Sequence, residues 1–193
     1  MIGAALNIPV SSFSHQEGHI EAVKFYSPYR NVNQCICFHF SGGTSEALLV
    51  DTAEHHDMKI QIVGGSKDLA FGQVLDRLGV ALGMGFPCGQ EMDEIACNTK
   101  VETPNVLPKI KCEGGYINLS GIETKCQRSI EIVPSEQLIT MTFQRLAEAI
   151  ESMCRQIYEK HGINKFLFAG GVSSSQYIRH YLDQHLTNLD ICF

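Results

Sequence analysis

The sequence has no apolar run of about 18 residues and no basic-then-apolar leader ending in a cleavage site, which argues against membrane insertion and secretion and for the cytoplasm. It lacks an excess of basic charge. Fifteen Lys+Arg face 21 Asp+Glu for a formal net of -6, so no basic surface advertises nucleic acid, and an RNA contact would need a local patch or a partner protein. None of its eight cysteines forms the CxxC pair that structural zinc sites favour, so buried reduced thiols are expected. Internal repeats and low-complexity segments are also missing. What is there is 193 residues, enough for one ordinary domain, or for the end of one domain plus a second, with a real core.

Both ends read as cut: MIGAALN has the look of the last turns of a helix, and LDICF is an apolar run that should continue into a strand or turn. Between them, IPVSSF (8–13) is a short strand candidate, and Ser14-x-x-Glu17 has the form of a capping box that starts a helix. QCICFHF (34–40) alternates Cys35, Cys37 and His39 with Ile36, Phe38 and Phe40, the period of a half-buried strand. Ser41-Gly42-Gly43 turns it, EALLVDT (46–52) returns as a hairpin partner, and MKIQIV (58–63) supplies a third strand. A helical pattern runs from Ser66 to about Leu82, and Asn98 to Ile132 reads as mostly irregular with weak strand signals such as GGYINLS. Ile139, Phe143, Leu146, Ile150, Met153 and Ile157 recur at spacings of four and three and predict a helix stopped by Gly162. Strand KFLFAGG (165–171) and helix SSSQYIRHYLDQHL (173–186) follow, and the order points to an α/β domain with a helical insertion.

Three features carry chemistry. In SHQEGH, His15 and His19 are four residues apart and share a helix face, so both can reach one metal ion. The zincin signature places Glu directly after the first His, whereas Glu17 here points about 200° away from His15 and is badly placed to activate a metal-bound water. An isolated pair of this kind is more often two surface or capping histidines than a metal site. Asp68, Gly72 and Asp76 fall within about 80° of one face of the expected helix, with Leu75, Leu78 and Leu82 packing inward. Such a face admits a ligand over the glycine, and its carboxylates can accept from ribose hydroxyls or hold a divalent ion such as Mg; the plain alternative is a solvated acidic face. Three glycine turns, Ser41-Gly42-Gly43, Ser120-Gly121 and Gly170-Gly171-Val172-Ser173, follow strands and can offer N–H groups to phosphate, though none is specific alone.

Taken in order, HQEGH, FSGGT, DLAFGQVLDR, FPCGQEMD, LSGIETK and AGGVSSSQYIR resemble the TsaD family, the tRNA threonylcarbamoyladenosine synthesis proteins once called O-sialoglycoprotein endopeptidases. The resemblance runs from about Ile8 to Tyr181. It implies an RNase H-like half of the sugar kinase, Hsp70 and actin fold, in which two such halves clasp a nucleotide with a metal near its phosphates. The implied activity is transfer of threonylcarbamoyl from threonylcarbamoyl-AMP to a tRNA adenine. On this basis residues 1–33 are the tail of a first half carrying the HxxxH motif, and 34–193 are the second half with its insertion at about 66–132.

Carried over residue by residue, the resemblance makes His15 and His19 ligands of one transition metal, Fe or Zn. It makes Ser41, Gly42 and Gly43 the phosphate-side loop. Asp68, Gly72 and Asp76 become the ribose side, and Gly170, Gly171 and Ser175 the loop beside adenine, for threonylcarbamoyl-AMP or ATP/ADP. Pro87 and Gly89 match a Tyr-Pro-Gly-Gly-Pro stretch, and Ser120, Gly121 and Thr124 a Ser-Gly-Leu-Lys-Thr stretch.

The departures are specific. His39 stands where archaeal members have a Tyr that can join the metal, and is itself a capable third ligand. Thr44 stands where bacterial members have His, Gln73 where many have Glu, Cys88 for a Gly, Gln90 for a Pro, and Ser175 for an Asn. The remaining family ligand is an Asp in a Ser-Asp-Asn-Ala stretch that the sequence does not contain. The expected function is therefore threonylcarbamoyl transfer, with tRNA reached through a full-length protein or partner subunits and with other threonylcarbamoyladenosine-synthesis proteins as partners. A truncated, non-catalytic nucleotide- and metal-binding paralogue is the alternative, and an O-sialoglycoprotein metalloendopeptidase is disfavoured by Glu17.

Overall fold

The computed structural model describes residues 15–52, 58–101 and 103–193, with side chains from Glu17 onward. The expected strand at 8–13 and the capping Ser14 lie outside the described residues; the helix itself, α1, covers His15–Tyr26. A seven-stranded sheet has the order β4-β5-β3-β2-β1-β6-β7, made by β1 (Gln34–Phe40), β2 (Ser45–Asp51), β3 (Lys59–Ser66), β4 (Cys112–Glu113), β5 (Tyr116–Ile117), β6 (Lys165–Ala169) and β7 (Asp190–Cys192). β1 and β2, and β2 and β3, pair antiparallel, whereas β6 joins β1 and β7 joins β6 in parallel. β5 lies parallel to β3 at its end, with Gly65 opposite Tyr116 and Ser66 opposite Ile117. The carboxyl ends of β1, β3, β5 and β6 therefore share one edge of the sheet, where ligands of open α/β folds bind.

One face of the sheet carries the large core. Ile36, Phe38 and Phe40 pack there with α2 (Phe71–Ala81), α3 (Gly89–Asn98), α4 (Ser120–Ser129), α5 (Ser135–His161) and α6 (Gln176–His185). The α5 stripe is as expected, with Ile139 through Ile157 buried and Gly162 closing the helix in the left-handed region at φ 70°. The other face belongs to α1, whose Ile20 packs with Cys35, Cys37, Leu167 and Ala169. Covered on both sides, β1 is not half-buried: Cys35, Ile36, Cys37 and Phe38 are all at 0% exposure.

Three boundaries differ from the sequence reading. β3 continues to Ser66 because its end pairs with β5, so the following helix begins at Phe71 rather than Ser66. Residues 120–129 within the supposedly irregular stretch are α4, and residues 89–98 before it are α3. The helix expected from 173 splits into a 3-10 turn, Gly171–Ser174, and α6.

Candidate functional site

Two of the three glycine loops, Ser41–Gly43 and Gly170–Gly171, meet at the end of β1. The β1–β2 turn closes through the Ser41 N–H to the Thr44 carbonyl at 2.8 Å, and the Ser41 hydroxyl oxygen accepts from the N–H groups of Gly43 and Thr44 at 3.3 and 3.0 Å. The first turn of α2 sits directly on this loop: a Cβ on Gly72 would come within 2.6 Å of Gly42 Cα and 2.8 Å of the Ser41 carbonyl oxygen. On the other flank Gly170, at φ 94°, lies so close to the end of β1 that a Cβ there would stand 2.3 Å from the Phe40 carbonyl oxygen. Only glycine permits both approaches. Gly42, Gly43, Gly170 and Gly171 are exposed, leaving a backbone-lined shelf open to a ligand.

The α2 start is built by two caps. The Ser45 hydroxyl oxygen accepts from the Phe71 N–H at 2.9 Å, and the Gln73 side-chain oxygen accepts from the Ala70 N–H at 2.9 Å. Gln73 thus does the reach-back work of a third helical residue without a charge.

The shared carboxylate face is corrected. Asp68 precedes α2 and turns to α4, its carboxylate accepting from the backbone N–H groups of Leu119 at 2.7 Å, Ser120 at 3.1 Å and Leu69 at 2.6 Å. Desolvation opposes its ionisation, but these bonds, with one from the Ser120 side chain, outweigh it and hold the carboxyl down to about 2. Asp76 remains on α2 and accepts from the Cys88 N–H at 2.9 Å. Gly121, expected in a turn, lies in the first turn of α4.

Ser175 caps α6: its oxygen accepts from the Ile178 N–H at 3.1 Å, and its hydroxyl donates to Asp93 of α3. Asp93 also accepts from the N–H groups of Gln176 at 2.7 Å and Tyr177 at 3.2 Å, so it fixes the point where the 170–175 loop enters α6. Sequence reasoning passed over Asp93 because its partners are more than 80 residues away; its place in FPCGQEMD was the available signal.

On the α1 face the structure brings two of the three expected metal ligands together. The rings of His19 and His39 have centroids 5.4 Å apart, tilted by 31°. His39 is the last member of the Cys35, Cys37, His39 row, half-buried where the thiols are fully buried, and it ends at the same edge as the Ser41 loop. Burial, with Cys35 adding to it, pushes the Cys37 thiol up to about 12, and burial raises Cys35, so both behave as apolar core side chains. Among the described residues no group of three or more His, Cys, Asp or Glu side chains is placed to hold a metal ion, so the pair alone does not make a site. The His15 side chain lies outside the described residues.

A mixed sheet whose central strand β2 runs antiparallel to both neighbours while β6 and β7 add to β1 in parallel, with helices on both faces, has the fold of one RNase H-like lobe of the sugar kinase, Hsp70 and actin class. HypF from T. kodakarensis matches all of this chain over 35% of its own at a TM-score of 0.77 and 12% identity. The activator of 2-hydroxyisocaproyl-CoA dehydratase from Clostridium difficile, solved with bound ADPNP, matches 96% of this chain and 62% of its own at a TM-score of 0.57 and 14% identity. The model of the TsaD family, tRNA N6-adenosine threonylcarbamoyltransferase, matches residues 1–193, and the chain belongs to that family. The enzymes of that name from Ligilactobacillus salivarius and Neorickettsia sennetsu are 27% and 29% identical, over 96% and 95% of this chain and 54% and 56% of theirs. The chain thus spans about half the length of the curated relatives it matches.

Proposed function

We propose that this chain forms the nucleotide- and metal-holding part of a cytoplasmic threonylcarbamoyl transferase acting on a tRNA adenine. The observation that carries the reading is the convergence, on one sheet edge, of a glycine-lined shelf and a His19–His39 pair in a chain of the TsaD family. In this reading α1 ends a first RNase H-like half, and residues 34–193 form the second, with α2 to α4 as its insertion.

The chain's own groups do the holding. Gly42, Gly43, Gly170 and Gly171 let an adenine nucleotide, threonylcarbamoyl-AMP or ATP/ADP, lie against backbone, and N–H groups of the two loops meet its phosphate. Asp68 and Asp76 flank the ribose side, and Mg belongs with the phosphates if present. His15, His19 and His39 hold the transition ion. A bound Zn or Fe ion would polarise the transferred carbonyl as the adenylate leaves. A net charge of -6 gives no electrostatic capture of tRNA, so RNA arrives through other parts of a full-length protein or through partner threonylcarbamoyladenosine-synthesis proteins.

The second reading, a non-catalytic nucleotide- and metal-binding relative, is favoured by one observation: the Asp68 carboxylate and the Ser175 hydroxyl are already engaged within the chain. The test is incorporation of labelled threonine into tRNA, with bicarbonate, ATP and the adenylate-forming partner enzyme. Label that depends on His19 and His39 supports the transferase; nucleotide and metal binding without label in any combination with partner subunits supports the second reading.

A further inference from the structure

The carboxyl end of α1 is held by a buried cation. Lys24 is 4% exposed, and among the described residues its ammonium has one hydrogen-bond acceptor, the Thr52 hydroxyl oxygen at 3.1 Å. That hydroxyl donates on to the Asn33 carbonyl at 3.3 Å, and the same carbonyl accepts from the Thr52 N–H at 2.8 Å. Lys24 thus ties the helix to the residue after β2 and the residue before β1. Burial raises the Cys35 thiol and the Lys24 charge works against it, which places the ammonium near the start of β1.

A second tether follows in the chain. The Ser27 hydroxyl donates to the Lys24 carbonyl at 2.9 Å and its oxygen accepts from the Tyr29 N–H at 3.1 Å. The Tyr29 side chain, in a residue 2% exposed, donates its hydroxyl to the Asp190 carbonyl of β7 at 2.7 Å. Lys165 of β6 closes the cluster, paired with the Asp190 carboxylate at 2.8 Å and set over the Tyr29 ring at 5.3 Å. The end of α1 is therefore bound to both flanks of β1, and these contacts gather at the amino ends of β1, β6 and β7. His39 lies at the opposite end of β1.

Taking an ammonium out of water costs more than one hydroxyl acceptor returns, so Lys24 is a poor source of stability. An unbranched apolar side chain of similar length would fill the same space without that cost. What a buried polar group supplies is register, because its acceptor fixes where on the sheet the helix sits, whereas apolar contact is non-directional. A shift at Lys24 is carried along the helix to His19, five residues back, whose ring centroid is 5.4 Å from that of His39.

We infer that Lys24, with Tyr29 beside it, is a positioning residue that sets the separation of the His19 and His39 rings. Its importance for function rests on the proposed reading of the two histidines as a functional pair, but the separation itself is measured without any metal.

The experiment is NMR of the metal-free 193-residue chain, reading the nuclear Overhauser contact between the His19 and His39 rings, with thermal unfolding alongside. Wild type is compared with Lys24→Met, Tyr29→Phe and the exposed control Lys160→Met. Lys24→Met should keep or raise the unfolding temperature while the ring contact is weakened or lost. Tyr29→Phe, which removes only a hydroxyl from a buried ring, should weaken the contact in a chain that still folds, and the control should change neither. A ring contact of wild-type strength in either variant overturns the inference. So does a Lys24→Met chain less stable than wild type, which would make the lysine a plain structural tie. Absence of metal from the wild type would remove the metal reading and leave this result standing.

Discussion

The carboxylate of Asp68 and the backbone N–H of Leu119 meet at 2.7 Å across 51 residues of sequence, tying the approach to α2 to the start of α4. Asp68 is therefore a helix cap whatever it does for a ribose. Asp68→Ala should lower stability by about 1 to 2 kcal/mol, the range for losing an N-terminal cap, seen as a lower urea midpoint. It should also weaken adenine nucleotide binding in calorimetry by roughly 1.5 to 3 kcal/mol if the same carboxylate makes a charge-assisted bond to the ligand. Lost affinity with unchanged stability would make Asp68 a ligand group only.

The same residue sets a pH dependence. Its folded value of about 2 lies below the ordinary 3.8, so the native state favours the ionised form and the unfolded chain binds the proton more readily. The stabilisation is fully present above about 3.8 and fades as pH falls toward about 2. Urea midpoints of wild type and Asp68→Asn should differ most near neutrality and converge in acid. A gap that widens on acidification would reverse the assignment.

Asp93 fixes the junction of the 170–175 loop with α6 through Ser175, Gln176 and Tyr177. Asp93→Ala leaves two N–H donors at the start of α6 without their acceptor and should cost about 1 to 2 kcal/mol. Adenine nucleotide affinity should fall with it, because the loop beside the base loses its fixed position, and Asp93→Asn should recover part of both. A variant with lowered stability and wild-type affinity would show that α6 matters to folding alone.

Gly72 and Gly171 make a matched pair for testing the shelf. Alanine at Gly72 collides with the backbone of Ser41 and Gly42, whereas at Gly171 the added carbon meets nothing within 4 Å. Gly72→Ala should cost about 1 to 3 kcal/mol and displace the Ser41 loop, reducing nucleotide affinity, while Gly171→Ala should keep wild-type stability. Thermal unfolding of the two variants makes the comparison.

What the sequence made legible was what local pattern controls. The α5 stripe, the two faces of β1 and the β1–β2 turn are written in spacings of two, three and four, and they match the fold. The start of α2 was misplaced because pairing of Ser66 with Ile117, a contact 51 residues away, extends β3 through the residues that seemed to open the helix. That same misplacement put Asp68 on a helical face it does not occupy. Asp93 was missed for a related reason: a carboxylate that caps a helix from another helix leaves no mark in the spacing around either. The place of His39 on its strand was legible by alternation, and its ring lies 5.4 Å, centroid to centroid, from that of His19.

The most direct measurement is metal content by elemental analysis of protein purified without a His tag, in wild type, in the His15→Ala, His19→Ala double variant and in His39→Ala. The account predicts close to one equivalent of Zn or Fe in the wild type, its loss in the double variant and a reduction in His39→Ala. A wild type free of transition metal, or a content unchanged in the double variant, would contradict it.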